Sequence, residues 1–346
     1  MSTNVSELRF SLLESMMAFR EGFRKEREAR IVAAKGNLSF GVSFLDDAFG
    51  GIYTNDLIVL GAKTGIGKTH LATVIARKNA ANGKRVHFFA LEAEQYEIER
   101  RIKYQILADS FYGLLKDKYP WIKLNYMDWY YGKFESEFGL IEKEIEETFQ
   151  DIYPELKTIY RGTGDYTIDD FGKQFLAIQD QTDLVIIDHL HYFDSDNENE
   201  NRAVKQIVKK IRDLALMAGR PVILIAHLRK KEKRSRELIP TIEDFHGSSD
   251  IGKIATKALI VAPYRTDSFI KNEWPTFMRI EKCRTDMSRT RYIGVTGFDT
   301  RTNQYADRYY LGWLTNFDEE YRQIENANDL PYWAKHAKTN MVNTGV

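Results

Sequence analysis

Residues 61–69 read Gly-Ala-Lys-Thr-Gly-Ile-Gly-Lys-Thr and lie between an apolar run, 57–60, and a segment of helical character, 68–82. A glycine-rich loop in this setting turns several backbone N–H groups inward, so that they can surround a phosphate chain at the start of the helix. Lys68 is placed to reach the terminal phosphates, and the Thr69 hydroxyl is placed to bind Mg²⁺. The stretch therefore predicts an α/β fold that binds a nucleoside triphosphate. The predicted nucleotide-binding residues are Ala62, Lys63, Thr64, Gly65, Ile66, Gly67, Lys68, Thr69 and His70.

The apolar runs on both sides of this loop alternate with longer amphipathic segments. Buried strands that alternate with helices form a mainly parallel sheet with helices on both faces. Residues 277–283 and 291–297 alternate around a polar turn at 285–290, which predicts a β-hairpin at the sheet edge near the C-terminus. The predicted strands are 57–61, 86–91, 158–161, 184–187, 221–226 and 257–262, and the predicted helices are 68–82, 94–108, 168–179 and 202–218.

Composition excludes several classes of protein. The 346 residues include 50 basic and 50 acidic side chains, so the chain is not a polybasic nucleic-acid-packaging protein. A single cysteine, Cys283, excludes a disulfide scaffold and a cysteine-clustered zinc site. No apolar run approaches the roughly 18 residues that a membrane span needs. We expect a soluble, cytoplasmic, globular protein.

Two of the predicted strands end in a carboxylate. Asp188 follows the run 184–187, and Glu92 follows the run 88–91. Parallel α/β sheets bind ligands at the carboxyl ends of their strands, so both carboxylates are expected beside the phosphate loop. Asp188 is suited to orient water around Mg²⁺, which makes Thr69 and Asp188 the predicted metal-site residues. Glu92 is suited to polarise the water that attacks the γ-phosphate, and Glu94 is the alternative.

Positive charge is concentrated in one part of the chain. Residues 202–265 contain 15 Lys and Arg against 6 Asp and Glu, and the basic run 229–236 directly follows a predicted strand. Such a run is often a solvated loop. Beside a nucleotide site, contact with nucleic-acid phosphates is an equally weighted interpretation.

An apolar stripe predicts a helix over residues 5–34. Its members recur at spacings of three and four, which is typical of one helix face. The stripe is compatible with packing on its own domain or with docking on a neighbouring subunit, and both interpretations stay open. The stripe residues are Leu8, Leu12, Met16, Phe19 and Phe23.

Together these motifs resemble the RecA-like motor domain of DnaB-type hexameric replicative helicases, including phage primase-helicases, from about residue 40 to residue 305. The usual phosphate-loop motif has glycine at the place of Ala62, with Gly61 here one place early, and the family tolerates that alanine. Ala93 stands where the family usually has methionine, and His246 where arginine is common. The stretches that carry the resemblance, besides the loop, are Gly41-Val42-Ser43-Phe44-Leu45-Asp46 through Gly50-Gly51, Leu91-Glu92, Ile187-Asp188-His189-Leu190, Ala226-His227-Leu228-Arg229, Asp244-Phe245-His246-Gly247-Ser248-Ser249 and Glu281-Lys282-Cys283-Arg284.

The resemblance implies a RecA-like P-loop NTPase that uses ATP and Mg²⁺ as a ring, most simply a hexamer, on single-stranded DNA during replication. It implies that His227 senses the γ-phosphate and that Arg284 and Lys282 reach the ATP of a neighbouring subunit. The implied catalytic residues are Glu92, Lys68, Asp188, His227, Arg284 and Lys282. The implied nucleic-acid-binding residues are Arg229, Lys230, Lys231, Lys233, Arg234, Gly247, Ser248, Ser249 and Lys253.

The resemblance also suggests how the chain is divided. Residues 1–38 are expected to form a linker or oligomerisation helix, 39–305 the motor domain, and 306–346 an extension to which we assign no chemistry. The first segment is too short for the helical collar of bacterial members, and one cysteine cannot build the zinc ribbon of a primase. We therefore expect a phage or mobile-element type of helicase, with a primase, a loader or other replisome proteins as partners and no membrane attachment.

Two other functions share the same ATP core. A RecA-like recombinase or annealing mediator would form open filaments on DNA and would not unwind it. A non-motor ATP switch would assemble with ATP and would not respond to DNA.

Overall fold

The computed structural model describes residues 21–25, 27–28, 31, 38–63, 65–195, 199–229, 239–245, 250–264, 272–315 and 320–339, without the side chains of 144, 148–149 and 151–153. The chain divides into two units, Met1–Leu38 and Ser39–Val346. In the first unit, the described residues are helical and exposed, and Glu21–Lys25 and Arg24–Glu28 form ion pairs one turn apart. The rest of the predicted N-terminal helix, including four of its five stripe residues, lies outside the described residues.

The described part of the second unit is built on an eleven-stranded sheet. Its strands are β1 (Leu57–Ala62), β2 (Val86–Ala90), β3 (Leu156–Tyr160), β4 (Leu184–Asp188), β5 (Val222–His227), β6 (Lys257–Pro263), β7 (Glu273–Cys283), β8 (Ile293–Asp299), β9 (Gln304–Leu314), β10 (Tyr321–Gln323) and β11 (Ala337–Lys338). The α-helices are α1 (Ser43–Phe49), α2 (Lys68–Ala81), α3 (Glu97–Ser110), α4 (Tyr126–Tyr130), α5 (Glu135–Ile152), α6 (Ile168–Ile178), α7 (Glu200–Ala218) and α8 (Asp250–Ile254).

The sheet has a parallel half and an antiparallel half. The strand order is β10-β9-β8-β7-β6-β1-β5-β4-β2-β3, with β11 added beside β9. The six strands from β6 to β3 are parallel, while β7, β8, β9 and β10 continue the sheet by antiparallel pairing. Strands β1, β4 and β5 form the centre of the parallel half, and β1 and β4 are buried along their whole length. Continuous apolar runs are expected of parallel strands that are covered on both faces.

The structure confirms the mainly parallel α/β architecture and the six predicted strands, with β3 starting two residues earlier than expected. The predicted hairpin is also confirmed as β7 and β8. Its predicted position at the sheet edge was wrong, because β9 pairs with β8 and β10 pairs with β9. The outer strands come from residues after 303, whose mixed aromatic and polar composition gave no strand signal.

Gly61 has a packing role. A Cβ atom at this position would lie 2.7 Å from ring atoms of Phe245 and 3.0 Å from Leu228. The Phe245 ring therefore packs against the bare backbone at the end of β1, which requires glycine one place before the usual motif position.

Candidate functional site

The loop between β1 and α2 has the backbone geometry that its glycines predicted. Gly65 has a φ of +82° and Gly67 a φ of +88°, in the left-handed region that favours glycine. Lys68 and Thr69 are the first two residues of α2, so the N-terminus of this 14-residue helix faces the site. Thr64, at the centre of the loop, lies outside the described residues.

The ammonium group of Lys68 points into the site. Its Nζ lies 3.1 Å from Nδ1 of His227 and donates to the carbonyl oxygen of Lys63 at 3.3 Å. Burial lowers the pKa of Lys68, and the charges of Asp188 and Glu92 offset part of that shift. A phosphate chain would supply the negative charge that this partly desolvated cation favours.

Thr69 and Asp188 meet as the predicted metal site requires. The Thr69 hydroxyl donates to Oδ2 of Asp188 at 2.8 Å, while Oδ1 of the same carboxylate is buried and has no hydrogen-bond partner among the described residues. Burial raises the pKa of Asp188 to about 6; the Thr69 hydrogen bond opposes this shift and the Glu92 charge adds to it. A buried carboxylate oxygen beside a hydroxyl is a donor set that fits Mg²⁺, which prefers oxygen ligands.

Glu92 and His227 are connected through a residue that the sequence did not single out. Nε2 of His189 lies 3.1 Å from Oε2 of Glu92 and 2.8 Å from Nε2 of His227. Burial, followed by the charges of His227, His191 and Lys68, lowers the pKa of His189 to about 2, so the ring is neutral at physiological pH. Its position directly after Asp188 was the one available signal in the sequence.

These three side chains also approach one another closely enough to suggest a metal site. One ligand atom each from Glu92, His189 and His227 lies within 4.8 Å of the others. However, Nδ1 of His189 accepts from the backbone N–H of His191, and Nδ1 of His227 faces the Lys68 ammonium. A neutral imidazole that accepts at Nδ1 carries its proton on Nε2 and has no lone pair there for a metal. The cluster therefore fits a hydrogen-bond chain better than a metal centre.

The predicted residues line one cavity of about 480 Å³ at the carboxyl ends of the parallel strands. Glu94 lies at its rim with a side chain that is 85% exposed, so Glu92 is the better placed of the two carboxylates. Arg101, which the sequence analysis missed, donates to Glu97 and lies 3.1 Å from Nε2 of His70. The residues around the cavity are Gly65, Gly67, Lys68, Thr69, His70, Glu92, Ala93, Glu94, Glu97, Arg101, Asp188 and His227.

Comparison with known families agrees with this site. The model of the DnaB-like helicase C terminal domain matches residues 37–111 and 133–302. The chain belongs to this family. It therefore has the motor domain of a replicative helicase, in a family that hydrolyses ATP and generally uses nucleotide with Mg²⁺.

Solved structures show the same fold. The ATPase domain of a DnaB-like helicase superposes with a TM-score of 0.62 at 16% identity, covering 85% of this chain and 99% of that one. A DnaB-like replicative helicase, studied with its interactions with primase, superposes with a TM-score of 0.60 at 17% identity, covering 83% of this chain and 66% of that one. Among curated proteins, no sequence match was found.

In this DnaB-like domain, Arg284 and Lys282 lie far from Lys68 of the same chain. Lys282 pairs with Ala258 near the start of β6, whereas Ala62, just before the phosphate loop, pairs with Val261 near its end. The backbone N–H of Arg284 donates to the carbonyl oxygen of Thr256, which precedes β6. Both cations therefore belong to the sheet edge opposite the cavity.

The Lys282 ammonium donates to the carbonyl oxygens of Gly252 and Lys253, at 2.7 and 2.8 Å. Burial, followed by the charges of Arg284 and Arg212, lowers its pKa. Three cations thus collect at one edge of the domain.

The structure describes two of the nine predicted DNA-binding residues. Arg229 and Lys253 are exposed, and Lys253 forms an ion pair with Asp250 at 3.0 Å. The others, Lys230, Lys231, Lys233, Arg234, Gly247, Ser248 and Ser249, lie outside the described residues. Among the described helices, none is long and apolar enough to cross a membrane.

Proposed function

We propose that this chain hydrolyses ATP at sites shared between identical subunits and uses the energy to move along single-stranded DNA, which separates the duplex ahead of it. The observation that carries the proposal is the division of the site. Lys68, Thr69, Asp188 and Glu92 surround one cavity, while Arg284 lies at the opposite edge of the same sheet. A ring of subunits, here a hexamer, brings the two edges together at every interface.

The residues of the cavity suit phosphoryl transfer. Lys68 and the backbone N–H groups of the loop bind the β- and γ-phosphates, and Thr69 and Asp188 would hold Mg²⁺. That ion, when bound, neutralises charge on the phosphate oxygens. Glu92 accepts a proton from the water that attacks the γ-phosphorus, and the ADP oxygen leaves with the electrons of the broken bond.

Arg284 completes the site from a neighbouring subunit. A guanidinium group supplied in this way stabilises the charge of the transition state, which typically contributes about a thousandfold or more. Its distance from its own phosphate loop means that one subunit alone lacks this group. Assembly is thereby coupled to hydrolysis.

Hydrogen bonds connect the phosphate site to the proposed DNA loops. The Leu228 N–H donates to the carbonyl oxygen of Ala62 at 3.3 Å, and Leu228 forms a β-bridge with Phe245. The Arg229 N–H donates to the carbonyl oxygen of Asp244 at 2.7 Å. Residues 230–236 and 246–249 follow directly, so loss of the γ-phosphate beside His227 would shift both segments together.

Further parts of the proposal follow from the family. The N-terminal helix would dock on an adjacent subunit, and a primase or loader would be the replisome partner. A cytoplasmic protein of a phage or mobile element fits this organisation.

Two measurements test the function. Steady-state ATPase with and without single-stranded DNA should show stimulation by DNA, and electron microscopy with a non-hydrolysable ATP analogue and a DNA strand should show closed rings. Open filaments that exchange strands would favour the recombinase instead. ATP-dependent assembly with no response to DNA would favour the ATP switch.

A further inference from the structure

His189 connects two parts of the site that the sequence had identified separately. Its side chain is 3% exposed, and its Nε2 lies 3.1 Å from Glu92 and 2.8 Å from His227. Nδ1 of His227 lies 3.1 Å from the Lys68 ammonium. The four side chains form a continuous chain of contacts from the cation of the phosphate loop to the Glu92 carboxylate.

The backbone decides which nitrogen of His189 carries the proton. The N–H of His191 lies 3.2 Å from Nδ1 of His189 and can only donate, so Nδ1 accepts. The proton of the neutral ring is then on Nε2, an assignment made from the hydrogen-bond network. That N–H has two neighbours. The carboxylate of Glu92 can always accept from it, whereas His227 can accept only when its own proton is on Nδ1, facing Lys68.

The side chain of Glu92 depends on this hydrogen bond. Its backbone is fixed, because the N–H groups of Leu91 and Glu92 both donate to the carbonyl oxygen of Asp188. The carboxylate is 44% exposed, and among the described residues its one hydrogen-bond or ion-pair partner is His189. A glutamate with several free rotamers would otherwise spread its carboxylate over many positions at the cavity.

We propose that His189 is a positioning residue whose Nε2–H holds the Glu92 carboxylate in the orientation that takes the proton of the attacking water. The proposal rests on the role of Glu92 given above. It predicts a loss in turnover with little effect on ATP binding, because His189 acts through Glu92. A displacement of about 1 Å at a reacting group can lower the rate a hundredfold.

The test compares two substitutions of equal length. His189→Gln keeps an N–H donor at about the reach of Nε2, and His189→Met has none. His189→Met should lower kcat about a hundredfold with KM for ATP changed less than about threefold, while His189→Gln should stay within about fivefold of wild type. In a Glu92→Gln background, His189→Met should change kcat by less than about twofold, since the carboxylate it positions is gone.

Binding of a fluorescent ATP analogue and circular dichroism check that each variant folds. His189→Asn, whose donor is too short to reach Glu92, should behave like His189→Met and replaces it if the methionine variant does not fold. Equal kcat for the glutamine variant and the variant without a donor in reach would overturn the proposal. A further hundredfold loss in the Glu92→Gln background would also overturn it. Near-normal turnover of Glu92→Gln alone is a different result, because it removes the proposed base itself.

Discussion

Lys68 and Glu92 contribute opposite charges to the same cavity, and each has its own task. Burial lowers the pKa of Lys68, so its ammonium gains from any anion that enters. Glu92 is more exposed and is fixed through His189. Binding of phosphate and activation of water are thus assigned to separate side chains, which substitutions can separate.

Glu92→Gln should bind ATP and assemble, yet hydrolyse ATP about 10²- to 10⁴-fold more slowly, because the base is lost and the shape is kept. Glu94→Gln is the matched control: its side chain is at the rim, and turnover should stay near wild type. Lys68→Ala should lose nucleotide binding or turnover. Steady-state ATPase and analogue binding measure all three. Normal turnover in Glu92→Gln with a loss in Glu94→Gln would exchange their roles.

Residues that follow a strand directly could be predicted from the sequence. Asp188 and Glu92 were found because each ends an apolar run, and the structure places both beside Lys68. His189 and Arg101 were missed for a physical reason. The contact between His189 and Glu92 requires β4 and β2 to be neighbours, and hydrophobic periodicity contains no information on strand order.

At the scale of elements, a buried ion pair joins the starts of β1 and β6. Nζ of Lys257 lies 2.6 Å from Oδ2 of Asp56, donates to the carbonyl oxygen of Gly51 at 2.9 Å, and is 1% exposed at its side chain. The Thr256 hydroxyl donates to Oδ1 of the same carboxylate at 2.7 Å. This cluster fixes the strand whose far end carries the phosphate loop.

Lys257→Met should lower the free energy of unfolding by about 3–5 kcal/mol, because it leaves the Asp56 carboxylate buried without its cation. The double variant Lys257→Met with Asp56→Asn should recover part of that loss, since no unpaired charge remains. Urea unfolding measures both. A double variant less stable than the single one would show that the ion pair is not the source of the effect.

Helices α4 and α5 were not predicted, and tertiary packing explains why. Tyr126 and Trp129 of α4 pack on the Tyr104 ring of α3, at centroid distances of 5.1 and 5.5 Å. Aromatic residues at irregular spacing give no clean helical period, so their positions depend on a neighbouring helix. Most of this segment, residues 112–132, also lies outside the part that matches the family model.

At the scale of the whole molecule, DNA binding is expected to depend on the basic segments after β5 and before α8. Neutralising Lys230 and Lys231 should weaken binding of single-stranded DNA similarly for all sequences. Each lost phosphate contact should also reduce the slope of log K against log salt by on the order of one unit. Fluorescence anisotropy over a salt series is the measurement. An unchanged slope would make the run an ordinary solvated loop.

The opposite positions of the cavity and Arg284 make the subunit interface the central element of the account. A subunit supplies Lys68 and Glu92 to one interface and Arg284 to the other. Defects in the two halves of the site should therefore complement each other between chains, and defects in the same half should not.

Mixing inactive variants before assembly tests this most directly. In a mixture of Lys68→Ala with Arg284→Ala, about a quarter of the interfaces in a randomly assembled ring have both halves intact. ATPase activity should then recover well above the sum of the separate proteins. In the matched mixture of Lys68→Ala with Glu92→Gln, both lesions lie in the same half, and no recovery is expected. Equal activity of the two mixtures, or near-normal hydrolysis by Arg284→Ala alone, would contradict a site shared between subunits.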